Sequence, residues 1–202
     1  MMLVYGDLRS GNCYKVKLTL KLLGIPHDWQ HVDVLAGECQ QASFLAINPN
    51  AKIPALVLDD GRVLCESNAI IWYLANEGAL VPTSAFAKAK MFEWMFFEQY
   101  SHEPYIAVAR FIKHYQGLPP ARRAEFASLQ AGGNKALTLM EHQLSLSPYL
   151  VGASLSLADI ALFAYTHVAD EGGFDLSRYP NIQAWCERIS AQPLFYPMPM
   201  NE

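Results

Sequence analysis

Residues 48–71 read NPNAKIPALVLDDGRVLCESNAII, and this run decides the fold. Asn48-Pro49-Asn50 is a turn, because proline presets its backbone angle and asparagine tolerates turn conformations. Ala55 to Leu58 and Arg62 to Cys65 read as two strands, and Asp59-Asp60-Gly61 joins them as a tight hairpin. Ser67 can then cap a following helix, whose Ile70, Ile71 and Leu74 recur at helical spacing as its buried stripe. Ile53-Pro54 is an X-Pro bond placed just before a strand, the kind of bond that can adopt the cis form. Glu66-Ser67-Asn68 lies where strand passes to helix, so free N–H groups and the positive end of the helix dipole favour an anion there; helix capping alone is the other reading.

Upstream of this run, Met2 to Tyr5 is a short apolar strand. After a break from Gly6 to Asn12, Cys13, Val16, Leu20 and Leu23 mark one face of a helix that Gly24 and Pro26 stop. Trp29 to Val34 is the next strand, and a strand, a helix and a strand this close form a βαβ unit with parallel strands and a right-handed crossover. A short helix around Ala42 to Ala46 leads back to the turn. The order β-α-β-α-β-β-α is complete by Glu77, which sets a first domain at residues 1–77. A connector at 78–85, with Gly78, Pro82 and Ser84, follows it.

Residues 86–202 carry only the helical period. One long helix runs through Trp94 to about His114, another from Pro120 to Leu146, a third from Leu157, and a last one carries Ile182, Trp185 and Ile189. Gly132-Gly133 inside the second costs about 2 kcal/mol relative to alanines, which predicts a break, a bend or a close helix contact. Ser156 and Asp159 have the spacing of a capping box.

The chain has 202 residues, 52% of them hydrophobic and 17% charged, which is the balance of a folded globular protein. A net charge of −4 with scattered lysines and arginines gives no footprint for nucleic acid. The apolar runs are too short to span a bilayer, and no basic stretch leads an apolar one at the N-terminus, so the expected location is the cytoplasm. Cys13, Cys39, Cys65 and Cys186 fall in no metal-ligand spacing and read as free packing thiols; His102-Glu103 lacks the second histidine of a zinc helix, so no metal is expected.

In this order and spacing, these features resemble the soluble glutathione transferase family over essentially the whole chain. The fold implied is an α/β thioredoxin-like N-terminal domain followed by an all-α C-terminal domain. Tyr5-Gly6-Asp7-Leu8-Arg9-Ser10-Gly11-Asn12-Cys13 resembles the N-terminal motif of the theta-like, serine-using bacterial classes, in which a serine before the first helix meets the glutathione sulfur. The resemblance makes Ser10 the catalytic candidate. Tyr5 is its rival, because Tyr5 and Arg9 reproduce the spacing of the tyrosine-using classes. Residues Asn48 to Leu56 resemble the family's cis-proline loop, with the backbone of Ile53 pairing with the cysteinyl part of glutathione before a cis Pro54. Glu66-Ser67 matches the acidic-serine pair that holds the γ-glutamyl group, and Asn12 and Lys52 join the implied site.

Cys39 stands where theta-like enzymes often carry a histidine near the glycyl end. It is thus expected at the site's edge, as the thiol most readily alkylated. Tyr100, Tyr105, Arg110 and Phe111 are the implied lining of a co-substrate pocket, with ordinary helix packing as the alternative reading. The resemblance implies glutathione as co-substrate, a small electrophile as its partner and a homodimer as the assembly. The activity implied is thiolate attack on the electrophile. Two alternatives stand beside it: a glutathione-dependent disulfide reductase, and a non-catalytic binding or interaction module.

Overall fold

The computed structural model describes residues 1–76 and 78–199. Glu77 and residues 200–202, at the expected ends of the two domains, lie outside the described residues. The chain divides into two compact units, one made of Met1–Asn76 with the tail from Gln192, the other of Glu77–Ala191.

The first unit is a thioredoxin-like α/β layer. Strand β1 (Leu3–Tyr5) pairs in parallel with β2 (Asp28–Gln30), and α1 (Gly11–Leu22) is the crossover between them. Strand β3 (Ala55–Val57) runs antiparallel to β1, and β4 (Val63–Cys65) antiparallel to β3, which gives the order β2-β1-β3-β4. The predicted stripe of α1 is buried at Cys13, Val16 and Leu20, and it packs with Ile70, Ile71 and Leu74 of α3 (Ser67–Ala75) in the unit's core. The short α2 (Ala42–Leu45) follows a 3-10 turn at Glu38–Gln40.

Strand β2 ends at Gln30, earlier than the expected Val34. Val32 is buried by packing on Phe44 and Cys39, so its apolar character serves a loop contact and not a strand. Ser67 is the first residue of α3 and not its cap; Glu66 holds the cap position with φ 67, a left-handed conformation costly for a residue with a Cβ.

The second unit is helical throughout. Helix α4 (Ala85–Phe97), capped by Ser84, continues through a π-helical turn at Glu98–His102 into α5 (Glu103–Arg110) and a second π-helical stretch at Phe111–Tyr115. The single long helix expected here therefore changes its hydrogen-bond register twice. Helix α6 (Arg123–Leu146) passes through Gly132-Gly133 without a break. Helix α7 (Leu157–Thr166) is buried at every residue, and α8 (Pro180–Ser190) buries Ile182, Trp185 and Ile189.

The capping box at α7 forms: Asp159 accepts from the backbone N–H and hydroxyl of Ser156 at 2.9 and 2.8 Å. The same carboxylate accepts from Leu150 N–H at 2.8 Å and Trp185 Nε1–H at 3.0 Å, so it ties α8 to the cap. Burial pushes the Asp159 carboxyl above its usual range, against the pull of these four donors.

The tail corrects the expected extent of the helical domain. Pro193, Pro197 and Pro199 cannot extend α8, and the segment packs on α1 of the first unit instead. Tyr14 donates its hydroxyl to Tyr196 O at 2.7 Å, and the ammoniums of Lys17 and Lys21 lie 5.5 and 5.7 Å from the Tyr196 ring centre. Among the described residues no helix is long and apolar enough to cross a membrane.

Candidate functional site

Strand register places the predicted residues along one end of the sheet. Tyr5, the last residue of β1, is opposite Ala55, the first of β3, and Ala55 is opposite Cys65, the last of β4. Three loops therefore leave the same sheet end: the one after Tyr5 that carries Ser10, the one before Ala55 that carries Ile53 and Pro54, and the one after Cys65 that carries Glu66 and Ser67. The Ile53–Pro54 peptide bond is cis.

Ser10 occupies the N-cap position of α1, with extended backbone angles, and its carbonyl accepts from Tyr14 N–H at 2.8 Å. Its hydroxyl makes no capping bond; it stands beside the Cys13 thiol, whose pKa it and the Asp7 backbone pull down. Burial still dominates that thiol, pushing Cys13 up to about 12. Asp7 fixes the loop from below: its carboxylate accepts from Arg9 N–H at 2.9 Å and from the Arg9 guanidinium at 3.0 and 3.2 Å.

Asn12 and Ser67 are brought into contact, with Ser67 Oγ–H donating to Asn12 Oδ1 at 3.1 Å. Lys15, a residue that periodicity alone did not single out, also meets both of them. Glu66 is exposed beside Ser67. Lys52 is exposed as well, and its carbonyl accepts from Asn48 Nδ2, a bond that shapes the loop before the proline.

Cys39 lies beneath the loop that carries Ile53 and is buried there. It is 5% exposed, clustered with Val32 and Phe44 under Tyr5, Ala51 and Ile53, and burial raises its thiol above the ordinary value. Its 3-10 turn faces the apolar cluster, so the expectation of ready alkylation is corrected. The Tyr5 ring packs edge-on to Phe44, 6.4 Å between centres, and lines a cavity of about 310 Å³ with Val32, Glu38, Gln41 and Ile47.

In the helical unit the four proposed pocket residues are spread over different surroundings. Tyr100 is fully displayed to solvent, while the Tyr105 ring lies against Gly132 of α6. Arg110 is buried, bonded to Glu171 at 2.5 Å, with its guanidinium 5.3 Å from the Tyr115 ring centre; Phe111 stacks on the same ring. Helix packing thus engages Tyr105, Arg110 and Phe111. Among the described residues no cluster of His, Cys, Asp and Glu could hold a metal ion.

Residues 9–77 match the family description "Glutathione S-transferase, N-terminal domain" and residues 94–193 match "Glutathione S-transferase, C-terminal domain". A crystal structure of a glutathione S-transferase from Pseudomonas fluorescens Pf-5 is 60% identical, with a TM-score of 0.96 and 98% of both chains covered. A glutathione transferase homolog from Sulfitobacter with bound glutathione is 26% identical, with a TM-score of 0.82, covering 96% of this chain and 94% of that one. Glutathione S-transferase 3 of Zea mays is 33% identical over 95% of this chain and 90% of its own. Disulfide-bond oxidoreductase YfcG of Escherichia coli is 29% identical over 90% of this chain and 87% of its own.

Proposed function

We propose, for a chain that belongs to the glutathione S-transferase family, that it binds glutathione at the sheet end described above and uses Ser10 to hold the thiol as thiolate for attack on a hydrophobic electrophile. The observation that supports this most is the placement of Ser10: its hydroxyl sits at the N-terminus of α1 with no capping bond to make, next to the Cys13 thiol. The Tyr5 ring, by contrast, is engaged with Phe44 and its cluster. That contrast favours the theta-like, serine-using type.

The chemistry asks for a donor and no general base. A serine hydroxyl has one proton to give, and the buried Cys13 thiol stays protonated without it. A hydrogen bond to a charged acceptor contributes about 1.5–3 kcal/mol, which lowers a thiol near pKa 8.5 by roughly one to two units. The dipole of α1 adds several tenths of a kcal/mol in the same sense. The thiol proton leaves to solvent; the thiolate forms a sulfur–carbon bond and the electrophile's leaving group departs with its electron pair. Glu66, Ser67 and Lys52 hold the charged ends of glutathione, and Ile53 pairs with its cysteinyl backbone.

A disulfide-reductase reading is favoured by the E. coli relative and by Asn12 beside Ser10. Two assays separate the readings: glutathione conjugation of an aryl halide, and glutathione-dependent reduction of hydroxyethyl disulfide. Turnover of the disulfide alone would replace the first reading with the second. Inactivity in both, with no retention on immobilised glutathione, would leave a binding module.

A cytoplasmic homodimer completes the reading. Phe86, Phe96 and Tyr100 of the α4 segment are 78%, 71% and 85% exposed, an apolar stripe that a two-fold partner would cover. Sedimentation as a monomer at micromolar concentration would contradict it.

A further inference from the structure

Lys15 on α1 is completely buried, 0% exposed, although it carries a charge. An ammonium removed from water is costly unless its protons are accepted. Its Nζ donates to Asn12 Oδ1 at 2.9 Å and to Ser67 Oγ at 3.4 Å, and Ser67 in turn donates to Asn12 Oδ1 at 3.1 Å. An ammonium can only donate, so it fixes which end of the Asn12 amide faces inward. The single Ser67 proton is then committed to Asn12. These three side chains bind the first turn of α1, which follows Ser10, to the first turn of α3, which follows Glu66.

We propose that Lys15 is a positioning residue for glutathione, acting through Asn12 and Ser67 to hold the N-terminus of α3 where that helix end and Glu66 meet the γ-glutamyl end. This rests on the glutathione reading above. Lys15 touches no ligand itself, because it has no exposed surface, and it lies behind the γ-glutamyl contacts and not beside the sulfur. It therefore governs affinity and leaves thiol activation to Ser10.

The test is glutathione binding by calorimetry, with steady-state conjugation kinetics. Lys15→Met should weaken glutathione binding at least about tenfold, while turnover at saturating glutathione and the pKa of the bound thiol stay near the wild-type values. Lys15→Gln, which keeps donors but no charge, should fall between, and it carries the test if the methionine variant does not fold. In a Ser67→Ala background, Lys15→Met should add less than about threefold, because the hydroxyl it positions is gone. A merely structural lysine would lower the melting temperature and leave the two changes multiplicative, and that result overturns the proposal. Wild-type protein that binds no glutathione overturns the reading beneath it, and Lys15 with it. Wild-type binding together with unchanged affinity in both Lys15 variants overturns the role of Lys15 alone.

Discussion

The ring of Tyr105 lies so close to Gly132 that a methyl group on that glycine would fall 2.3 Å from its Cδ1 and Cε1 atoms. The next residue repeats the relationship: a Cβ at Gly133 would meet Phe174 at 2.3 Å. The pair of glycines therefore gives α6 two close ring contacts, and the helix stays unbroken.

Alanine at either glycine gains about 1 kcal/mol of helix propensity but overpacks the contact by roughly 1–3 kcal/mol. Tyr105 is partly exposed, so its ring can yield toward solvent at lower cost than that of Phe174, which is buried. Urea denaturation should show Gly133→Ala as the more destabilised of the two. The reverse order would mean that Phe174 yields more easily than its burial implies.

Ser10→Ala should remove one hydrogen bond from the glutathione thiolate and raise the bound thiol's pKa by about one to two units. Conjugation at neutral pH should then drop about ten- to a hundredfold and recover partly in alkali. Tyr5→Phe is the matched control and should leave the thiol pKa alone. A raised pKa in Tyr5→Phe with none in Ser10→Ala would move the protein to the tyrosine-using classes.

All four cysteines should react slowly in the native protein. Burial pushes Cys13 and Cys186 up to about 12, and it raises Cys39 and Cys65 above the ordinary thiol value. The thiolate is the reacting form, so a disulfide reagent at pH 8 should release its chromophore slowly until denaturant exposes four thiols. Rapid modification of Cys39, blocked by glutathione, would restore it to the site's edge. Cys13→Ala should keep most of the conjugating activity.

His167 should make the protein acid-sensitive. Its ring stacks on Phe163, 4.4 Å between centres, and burial lowers its pKa from 6.5 to about 4. As pH falls through 6.5 the unfolded chain takes up a proton that the folded one refuses until about 4, so stability declines across that window. The loss attributable to this residue is up to about 3 kcal/mol. His167→Phe keeps an aromatic ring without the titration, and its stability should fall less between pH 6.5 and 4; parallel curves for the two proteins would assign the acid sensitivity elsewhere.

Local chemistry made much of the fold legible. The hairpin at Asp59-Asp60-Gly61, the stripe of Cys13, Val16 and Leu20, and the Ser156–Asp159 box each depend on residues within a few positions of one another, and each formed where the spacing placed it. Val32 and the proline-rich tail misled the reading for a matching reason. Their apolar residues are buried by partners distant in sequence, Phe44 and Cys39 for the one and α1 for the other, and no local period records such partners.

The candidate site divides along the same line. Ser10, Ile53-Pro54 and Glu66-Ser67 could be named from the sequence because the short motifs around them resemble those of the glutathione transferases, and each lies at a strand or helix boundary. Only the tertiary structure decided that Cys39 is withdrawn into an apolar cluster and that Arg110 is taken up by Glu171. It alone placed the ammonium of Lys15 behind Asn12 and Ser67. Burial and charge pairing are properties of what surrounds a side chain, and for these residues the surroundings come from elements that only folding brings together.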